Sequence, residues 1–274
     1  MEVVHVLGSG AAFSDGHRTT TMLALEGRTG IVVVDCGGDV VQRLLAHGLD
    51  PLRVSALIVT HEHADHVGGL PLMVERLWLA GRRSPLPVIG IAPAVAQACR
   101  LHDAFDTGDW PGYAGIAARV VAHEPGAVVL EDEDWHITAA PGVHSVPAIG
   151  LRVAARSGAV LAYSGDTAYD ASIVALARGA DLLLHEATST SPCDLPIHAS
   201  PSDAARVALE AGARHLVLVH LPSDFDPRGS ELARARRRFP SLEVGFDGAR
   251  YALGSSTASL GWRAVGATPS HSRA

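Results

Sequence analysis

Residues 56–69 read ALIVTHEHADHVGG, an apolar run that leads directly into three histidines and an aspartate. Ala56–Thr60 is short, apolar and partly β-branched, which predicts a buried strand. His61 and His63 are two residues apart, so extended backbone can turn both imidazoles toward one metal. Imidazole is a ligand that zinc prefers in catalytic sites, where an open position holds water. The stretch therefore predicts a metal site at the carboxyl edge of a sheet.

Asp65 and His66 extend this cluster where the chain turns toward the next helix, and both can reach a second metal beside the first. The alternative is a run of surface histidines. With 15 histidines in 274 residues, three at this fixed spacing arise by chance in roughly one window in 10⁴. The pattern therefore favours a site for more than one metal ion.

A two-metal site needs further ligands, and three candidates come at strand ends later in the chain. His144, Asp166 and His220 each lie at or shortly after the end of a predicted strand. Any one of them alone would be interpreted as a loop residue. The carboxyl ends of strands meet at one edge of a sheet, however, so together they are predicted to complete the site.

The order of the predicted elements indicates a single α/β domain. Short strands flanked by helices fill both halves of the chain, and no repeat of 20–50 residues is visible. One helix in the second half begins at Ser200, the predicted N-cap, with Asp203 at the third helical position. The two strand-rich halves predict an αββα sandwich over residues 1–253. Residues 254–274, rich in Ser, Thr, Gly and Ala, are predicted to form a flexible C-terminal tail.

The composition argues against a secreted or membrane-spanning protein. Hydrophobic residues make up 47% and charged residues 19%, which suits a globular chain with a substantial core. No apolar run is long enough to cross a bilayer. Val3–Leu7 reads as a strand at the very start, which leaves no room for a signal sequence. The chain is therefore predicted to be cytoplasmic, without a membrane partner.

The charge argues against binding to nucleic acid, and the cysteines argue against a zinc site built from thiolates. The net charge is -7 and all 22 basic residues are arginines, which gives no overall attraction to nucleic acid. The one dense basic run, Arg234–Arg238, is predicted to be a solvated helix face rather than an RNA patch. The cysteines are not paired as CxxC, so they are predicted to be buried or incidental thiols rather than a thiolate zinc cluster. They are Cys36, Cys99 and Cys193.

With these residues the chain resembles the metallo-β-lactamase superfamily from Val3 to about Leu253. The resemblance implies the αββα sandwich of that family and two divalent metal ions, zinc being expected, with manganese or iron as alternatives. It implies one zinc ligand set of His61, His63 and His144. It implies a second set of Asp65, His66 and His220, with Asp166 bridging the two metals. Asp35 matches an acidic residue that orders the site through hydrogen bonds.

Three further stretches resemble ribonuclease Z, the tRNA 3′-processing endonuclease of that superfamily. They are YSGDT at residues 163–167, LHEAT at residues 184–188, and His-Ala-Ser at residues 198–200. The resemblance implies that His198 and Glu186 are a proton-transfer pair near the leaving group. His185 has two interpretations: it orders a metal ligand through a hydrogen bond, or it is a buried, hydrogen-bonded histidine at a strand end.

The chain also departs from ribonuclease Z in two places. That family carries a long tRNA-binding arm between the ligands that correspond to His144 and Asp166, and here only 21 residues separate them. The early loop, residues 13–19, lacks the Lys and Asn of the tRNase loop and has Asp15 instead. Arg18 in this loop is a candidate for a phosphate contact. Because the arm is absent and the net charge is negative, cleavage of tRNA is not expected.

We therefore expect a metal-dependent phosphodiesterase that acts on small phosphodiesters, such as a cyclic nucleotide, through a metal-bridging hydroxide. The expected catalytic residues are Asp65, His198 and Glu186, with Asp65 accepting the proton of the water. Three alternatives remain: an arylsulfatase, lactonase or phosphotriesterase at the same metals, a tRNA 3′-processing endonuclease, and a non-catalytic metal-binding relative. The expected partners are a small-molecule ester and, from the resemblance, a second copy of the chain in a homodimer.

Overall fold

The computed structural model describes residues 2–190 and 196–253. The predicted C-terminal tail, residues 254–274, and Cys193 lie outside the described residues. In the described part of the chain, Cys36 is buried, Cys99 is half-buried, and both are free thiols. No helix within the two described ranges is long and apolar enough to span a membrane.

Two seven-stranded mixed sheets form the centre of the fold. The first sheet has the order β14-β1-β2-β3-β4-β5-β6, and its last four strands run parallel. Its strands are β1 (Glu2–Gly8), β2 (Met22–Glu26), β3 (Ile31–Val34), β4 (Val54–Val59), β5 (Leu86–Ile91), β6 (Ile116–Val121) and β14 (Arg250–Leu253). The edge strand β14, absent from the sequence interpretation, pairs antiparallel with β1.

The second sheet has the order β13-β12-β11-β10-β9-β8-β7, with a parallel half from β10 to β13. Its strands are β7 (Ala127–Glu131), β8 (Trp135–Pro141), β9 (Ile149–Ala155), β10 (Val160–Tyr163), β11 (Leu182–Glu186), β12 (Leu216–Val219) and β13 (Leu242–Val244). Only β9 and β10 lie between His144 and Asp166, so this interval holds two short strands and no arm, as predicted.

Helices cover the outer faces of the two sheets. They are α1 (Val40–Ala46), α2 (Ala64–Val67), α3 (Leu70–Leu79), α4 (Ala92–Asp103), α5 (Ala171–Leu176), α6 (Pro201–Ala211) and α7 (Ser230–Arg238), with a 3-10 turn at Pro51–Arg53. One apolar core includes buried side chains of both sheets, and a second lies under α5, α6 and α7. This layering confirms the predicted αββα sandwich.

Two features predicted from the sequence lie on helices α6 and α7. Ser200 caps α6, and its side chain and that of Asp203 form a reciprocal capping box, as predicted. The arginine run is on α7, where Arg234, Arg236, Arg237 and Arg238 are exposed and Ala235 is buried. The run is therefore a solvated helix face.

The carboxyl ends of several strands converge at one rim of the sandwich. Two non-glycine residues there have a positive φ, Asp35 (61°) directly after β3 and His220 (54°) directly after β12. This left-handed backbone is uncommon for side chains other than glycine and persists where the surrounding structure enforces it. His220 is a predicted metal ligand and Asp35 is hydrogen-bonded to another, His66, so the rim is the candidate functional site.

Candidate metal centre

The histidine-rich stretch leaves β4 and enters the one-turn helix α2, which the sequence interpretation treated as a turn. His63 is the N-cap residue of α2, while Asp65 and His66 lie within it. The helix packs closely against the loop after β3: a Cβ atom on Gly37 would be 1.8 Å from the carbonyl oxygen of Asp65. Glycine at position 37 therefore allows α2 to approach and to hold its two ligands in place.

Three imidazole nitrogens form the first group of candidate ligands. His63 Nδ1 lies 3.1 Å from His61 Nε2 and 3.1 Å from His144 Nε2. In a tetrahedral site with ligand bonds of 2.0–2.1 Å, two ligand atoms lie roughly 3.3 Å apart. His144 is far from His61 and His63 along the chain, and the loop after β8 brings it next to them. These three residues could hold one metal ion.

The second group is an equilateral triangle of ligand atoms. Asp65 Oδ2, His66 Nε2 and His220 Nε2 lie 3.3 Å from one another. His66 is fully buried and His220 nearly so, whereas Asp65 reaches the cleft. The spacing again suits a single tetrahedral cation, so these residues could hold a second metal ion.

Asp166 lies between the two groups. Its Oδ2 atom is 3.4 Å from His220 Nε2, 3.8 Å from His61 Nε2 and 3.9 Å from His144 Nε2. Its Oδ1 atom is buried without a hydrogen-bond partner among the described residues, and His66 Nε2 is 3.5 Å away. A buried carboxylate oxygen without a partner is costly unless a cation or a donor completes it. The donor set therefore fits divalent cations.

In three of the candidate histidine ligands, the outer ring nitrogen, which faces away from the cluster, has a hydrogen-bond partner. The inner ring nitrogen, which faces the other ligands, is therefore free to bind metal. His66 Nδ1 donates to Asp35 Oδ2 at 2.8 Å, and His144 Nδ1 donates to the carbonyl oxygen of Ile197 at 3.0 Å. His220 Nδ1 lies 2.7 Å from Thr188 Oγ1, which itself donates to the carbonyl oxygen of His220. With the proton on the outer nitrogen, the inner nitrogen carries a lone pair.

Asp35, which the resemblance implied would order the site, is hydrogen-bonded to residues at its base. It is fully buried and accepts hydrogen bonds from the backbone N–H of Thr60 at 2.8 Å and from the Thr60 hydroxyl. The same hydroxyl is 3.1 Å from His61 Nδ1. One carboxylate thus orients His66 directly and His61 through Thr60. Thr60 contacts His61 and Thr188 contacts His220, and the sequence alone did not indicate either contact.

The protonation states suit metal binding. Burial, together with neighbouring imidazoles, lowers the pKa of His61 to about 2, so this ring is neutral at pH 7. Burial would raise the pKa of Asp65, but hydrogen bonds from His220 and His66 hold it below its usual value. Burial likewise opposes ionisation of Asp166, and the charges of His220 and His66 outweigh it, so the pKa of Asp166 is low. His61 therefore offers a neutral imidazole, and Asp65 and Asp166 offer charged carboxylates. Burial would lower the pKa of His66, but the charges of Asp166 and Asp35 raise it, so a metal ion would take the place of the proton that these carboxylates favour on this ring.

His198 and Glu186, the two residues expected to transfer a proton, are hydrogen-bonded to each other. His198 Nδ1 lies 2.8 Å from Glu186 Oε1. Glu186 is fully buried, and its oxygens also accept the backbone N–H groups of Thr167 (2.7 Å) and Thr188 (3.1 Å). Burial would lower the pKa of His198, but the hydrogen bond and charge of Glu186 raise it overall. The His198 ring is 4.9 Å from that of His144 and lines the cleft.

His185 and Arg18 are not brought to the cleft. His185 precedes Glu186 on β11, so its side chain points to the opposite face of the sheet. It is fully buried and its Nδ1 donates to the carbonyl oxygen of Glu186 at 2.8 Å. Arg18 is paired with Asp15 and is not among the residues that line the cleft. The geometry of His185 matches a buried, hydrogen-bonded strand residue.

A cleft of about 600 Å³ opens above the centre. This volume is in the range of small-molecule sites. Its lining includes four of the seven candidate metal ligands and loops on both sides of them. The lining residues are Ala11, Ala12, Phe13, His63, Asp65, Asp166, Thr188, Thr190, His198, His220, Pro222, Ser223 and Asp224.

Comparison with known proteins gives a consistent family assignment. The family model "Beta-lactamase superfamily domain" matches residues 31–221. Ribonuclease Z of Methanothermobacter thermautotrophicus is 29% identical over 299 positions, covering 90% of this chain and 95% of the relative. Ribonuclease Z of Myxococcus xanthus is 31% identical, covering 88% of this chain and 94% of the relative. The crystal structure of the metallo-β-lactamase fold protein YhfI from Bacillus subtilis has a TM-score of 0.77 at 22% identity, covering 92% of this chain and 100% of that one.

Proposed function

The chain belongs to the metallo-β-lactamase superfamily, whose members bind divalent metal, and is a metal-dependent hydrolase; we propose that it hydrolyses small phosphodiesters with two metal ions, zinc by preference. The observation that carries the proposal is the pair of ligand groups on either side of Asp166. His61, His63 and His144 would hold one ion. Asp65, His66 and His220 would hold the other, with Asp166 between them.

The metals and the side chains would contribute differently to the reaction. When bound, divalent cations supply a water of lowered pKa and neutralise charge on the phosphate oxygens. Asp65 lines the cleft and can accept the proton of the attacking water at a carboxylate oxygen. His198, held through Nδ1 by Glu186, can donate a proton from Nε2 to the leaving oxygen. The proton lost by the water and the proton gained by the alcohol are thus both accounted for.

Phosphodiester chemistry is supported by the relatives, and a small substrate is supported by the chain itself. The two relatives named ribonuclease Z are named for action on RNA, which is a phosphodiester polymer. Their alignments span more positions than the 274 residues of this chain, so they carry residues that it lacks. The interval between His144 and Asp166, where the arm would be, holds only two strands. A cleft of about 600 Å³ accommodates a nucleotide-sized molecule.

The direct test is hydrolysis of bis-p-nitrophenyl phosphate by purified protein loaded with Zn²⁺ or Mn²⁺. His63→Ala should lose at least about 10²-fold in rate, because it removes a ligand from the first group. His136→Ala is the matched control, since His136 is a half-exposed histidine on β8 outside the cleft. Full activity of the His63 variant would remove the site assignment.

A substrate panel separates the competing functions. Turnover of an aryl sulfate, a lactone or a phosphotriester in preference to the diester would replace the proposed substrate class. Cleavage of precursor tRNA would favour 3′ processing. Metal-loaded protein that turns over none of these esters would indicate a non-catalytic metal-binding relative.

A further inference from the structure

The mouth of the cleft carries an aromatic side chain that packing does not explain. The Phe13 side chain is 80% exposed, although a phenyl ring normally gains by burial. It lies between β1 and β2, and it lines the same cleft as His63, Asp65 and His198. The ring has no stacked aromatic partner within residues 2–190 and 196–253. The ring therefore presents a free face beside the metal centre.

Backbone hydrogen bonds fix this ring relative to a second loop. Ala11 N–H donates to the carbonyl oxygen of Leu221 at 2.9 Å, and Ser223 N–H donates to the carbonyl oxygen of Phe13 at 3.1 Å. The loop after β12 is thereby joined to the loop after β1. Because both loops are held before any ligand arrives, a planar group that binds there does not have to order them.

Asp224 follows directly on Ser223 and brings an acceptor to the same mouth. It is exposed and lines the cleft, and it has no ion pair or hydrogen bond with any residue that the structure describes. An ionised carboxylate only accepts hydrogen bonds, so its partner must be an N–H or O–H group. The cleft lining among the described residues contains no arginine, and the chain has no lysine.

These features select the charge and shape of a ligand. Additional phosphate groups would meet Asp224 with no basic side chain of the described lining to offset them, so a singly charged diester fits better than a polyphosphate. A planar heterocycle can stack on Phe13, and its N–H groups can be accepted by Asp224. Nucleobases combine both properties.

We propose that Phe13 and Asp224 form a nucleobase subsite, so that the substrate is a phosphodiester of a nucleoside, with the base stacked on Phe13 and its N–H groups bonded to Asp224. This inference rests on the proposed phosphodiesterase function. Guanine is preferred, because its adjacent N1–H and N2–H groups can donate to both carboxylate oxygens, whereas uracil offers a single N–H. Phe13 and Asp224 determine specificity and take no part in proton transfer.

The test is a series of 5′-(p-nitrophenyl phosphate) diesters of guanosine, adenosine, uridine and a base-free methyl ribofuranoside. All four share the leaving group, so differences in KM report on the base. We expect the guanosine ester to have a KM about tenfold below that of the base-free ester. Phe13→Leu should remove that advantage, with kcat changed by less than about twofold, while Phe13→Tyr should keep it. Asp224→Asn should remove the preference for guanosine over uridine and leave the advantage of uridine over the base-free ester.

The outcomes separate this inference from the proposed function. Equal KM values for all four esters, with ready turnover of each, would overturn the nucleobase subsite and leave the phosphodiesterase intact. The subsite would also be overturned if Phe13→Leu kept the same KM advantage of the guanosine ester over the base-free ester as the wild type. Absence of turnover on every diester, together with full metal loading, would instead remove the proposed function on which the subsite rests.

Discussion

Two regions of this protein place imidazole nitrogens about 3 Å apart, and they differ in what surrounds them. At the rim, the rings of the metal centre are joined by the carboxylates of Asp65 and Asp166. Under the first sheet, His5 Nδ1 lies 3.2 Å from His47 Nδ1, and His5 Nε2 lies 3.0 Å from Glu26. Both regions are buried.

The difference lies in where the protons are. His5 and His47 can share one proton between their Nδ1 atoms, which makes a hydrogen bond between neutral rings. At the centre, the outer nitrogens of His66 and His144 already donate to Asp35 and to a carbonyl oxygen, so in the neutral rings the inner nitrogens carry lone pairs that face the other ligands. Close imidazoles thus indicate a metal site when three or more ligand atoms converge on one point, which happens at the rim and not at His5 and His47 among the described residues.

The largest expected effect in testing this difference comes from removing the charge of Asp166, the carboxylate between the two ligand groups. Asp166→Asn keeps the shape but removes the charge that both groups share. We expect hydrolysis of bis-p-nitrophenyl phosphate to fall by at least about 10³-fold and metal content to fall as well. Glu26→Gln, which alters the carboxylate beside His5, should keep activity within about twofold. Equal losses in the two variants would contradict the contrast.

His198 sharpens the contrast, because it is a histidine at the rim that is proposed to act without holding a metal. His198→Gln should lower the rate on a diester with an alkoxide leaving group by about 10²-fold or more, since general acid catalysis is lost. The loss should be smaller for p-nitrophenolate, which leaves without a proton. Metal content should be unchanged. A variant equally impaired on both leaving groups would indicate a positioning role instead.

The next prediction concerns Asp35, whose carboxylate accepts the hydrogen bond of His66 Nδ1. Asp35→Asn removes the charge that His66 Nδ1 faces at 2.8 Å, and we expect metal affinity to weaken by about 10- to 100-fold. Competition with a chelator, followed by dialysis and metal analysis, measures this change. Excess metal should restore most of the activity, because the ligands themselves remain. Unchanged affinity would show that Asp35 does not orient the site.

For the buried His5–His47 pair we predict a smaller effect, which concerns the stability of the fold and not the enzymatic activity. Burial, aided by the charges of His5 and Arg250, lowers the pKa of His47 to about 4. The folded state therefore favours the neutral ring, so this contribution is complete above pH 6.5 and is lost as the pH falls toward 4. Between pH 7.5 and pH 5 the loss is about 2 kcal/mol. Urea unfolding of metal-saturated wild type and His47→Gln should differ in pH dependence by that amount; parallel profiles would contradict it.

Much of the fold could be predicted from the sequence, because local signals and long-range packing agree. The apolar run before His61 became β4, and Ser200 and Asp203 cap α6 as their spacing indicated. The one-turn helix α2 was not foreseen, because four residues carry too little periodicity to be recognised. The edge strand β14 was missed as well, since its pairing with β1 joins the two ends of the described chain.

The convergence of the candidate ligands could be predicted from the sequence, whereas the residues around them could not. His144, Asp166 and His220 come at strand ends, and strand ends meet at one rim. Thr188 lies within the LHEAT stretch, yet nothing local indicates that its hydroxyl contacts His220. Phe13 depends on a loop contact more than 200 residues away in the chain. Such tertiary contacts leave no pattern in a single sequence.

The measurement that tests the central claim most directly is metal content per chain, determined by mass spectrometry on the same samples used for activity. Wild-type protein saturated with Zn²⁺ and freed of excess metal should hold two ions per chain. His63→Ala and Asp65→Asn, which remove one ligand from each group, should each hold about one. A saturated wild type with one ion or none, or two ions retained in both variants, would contradict the paired ligand groups around Asp166.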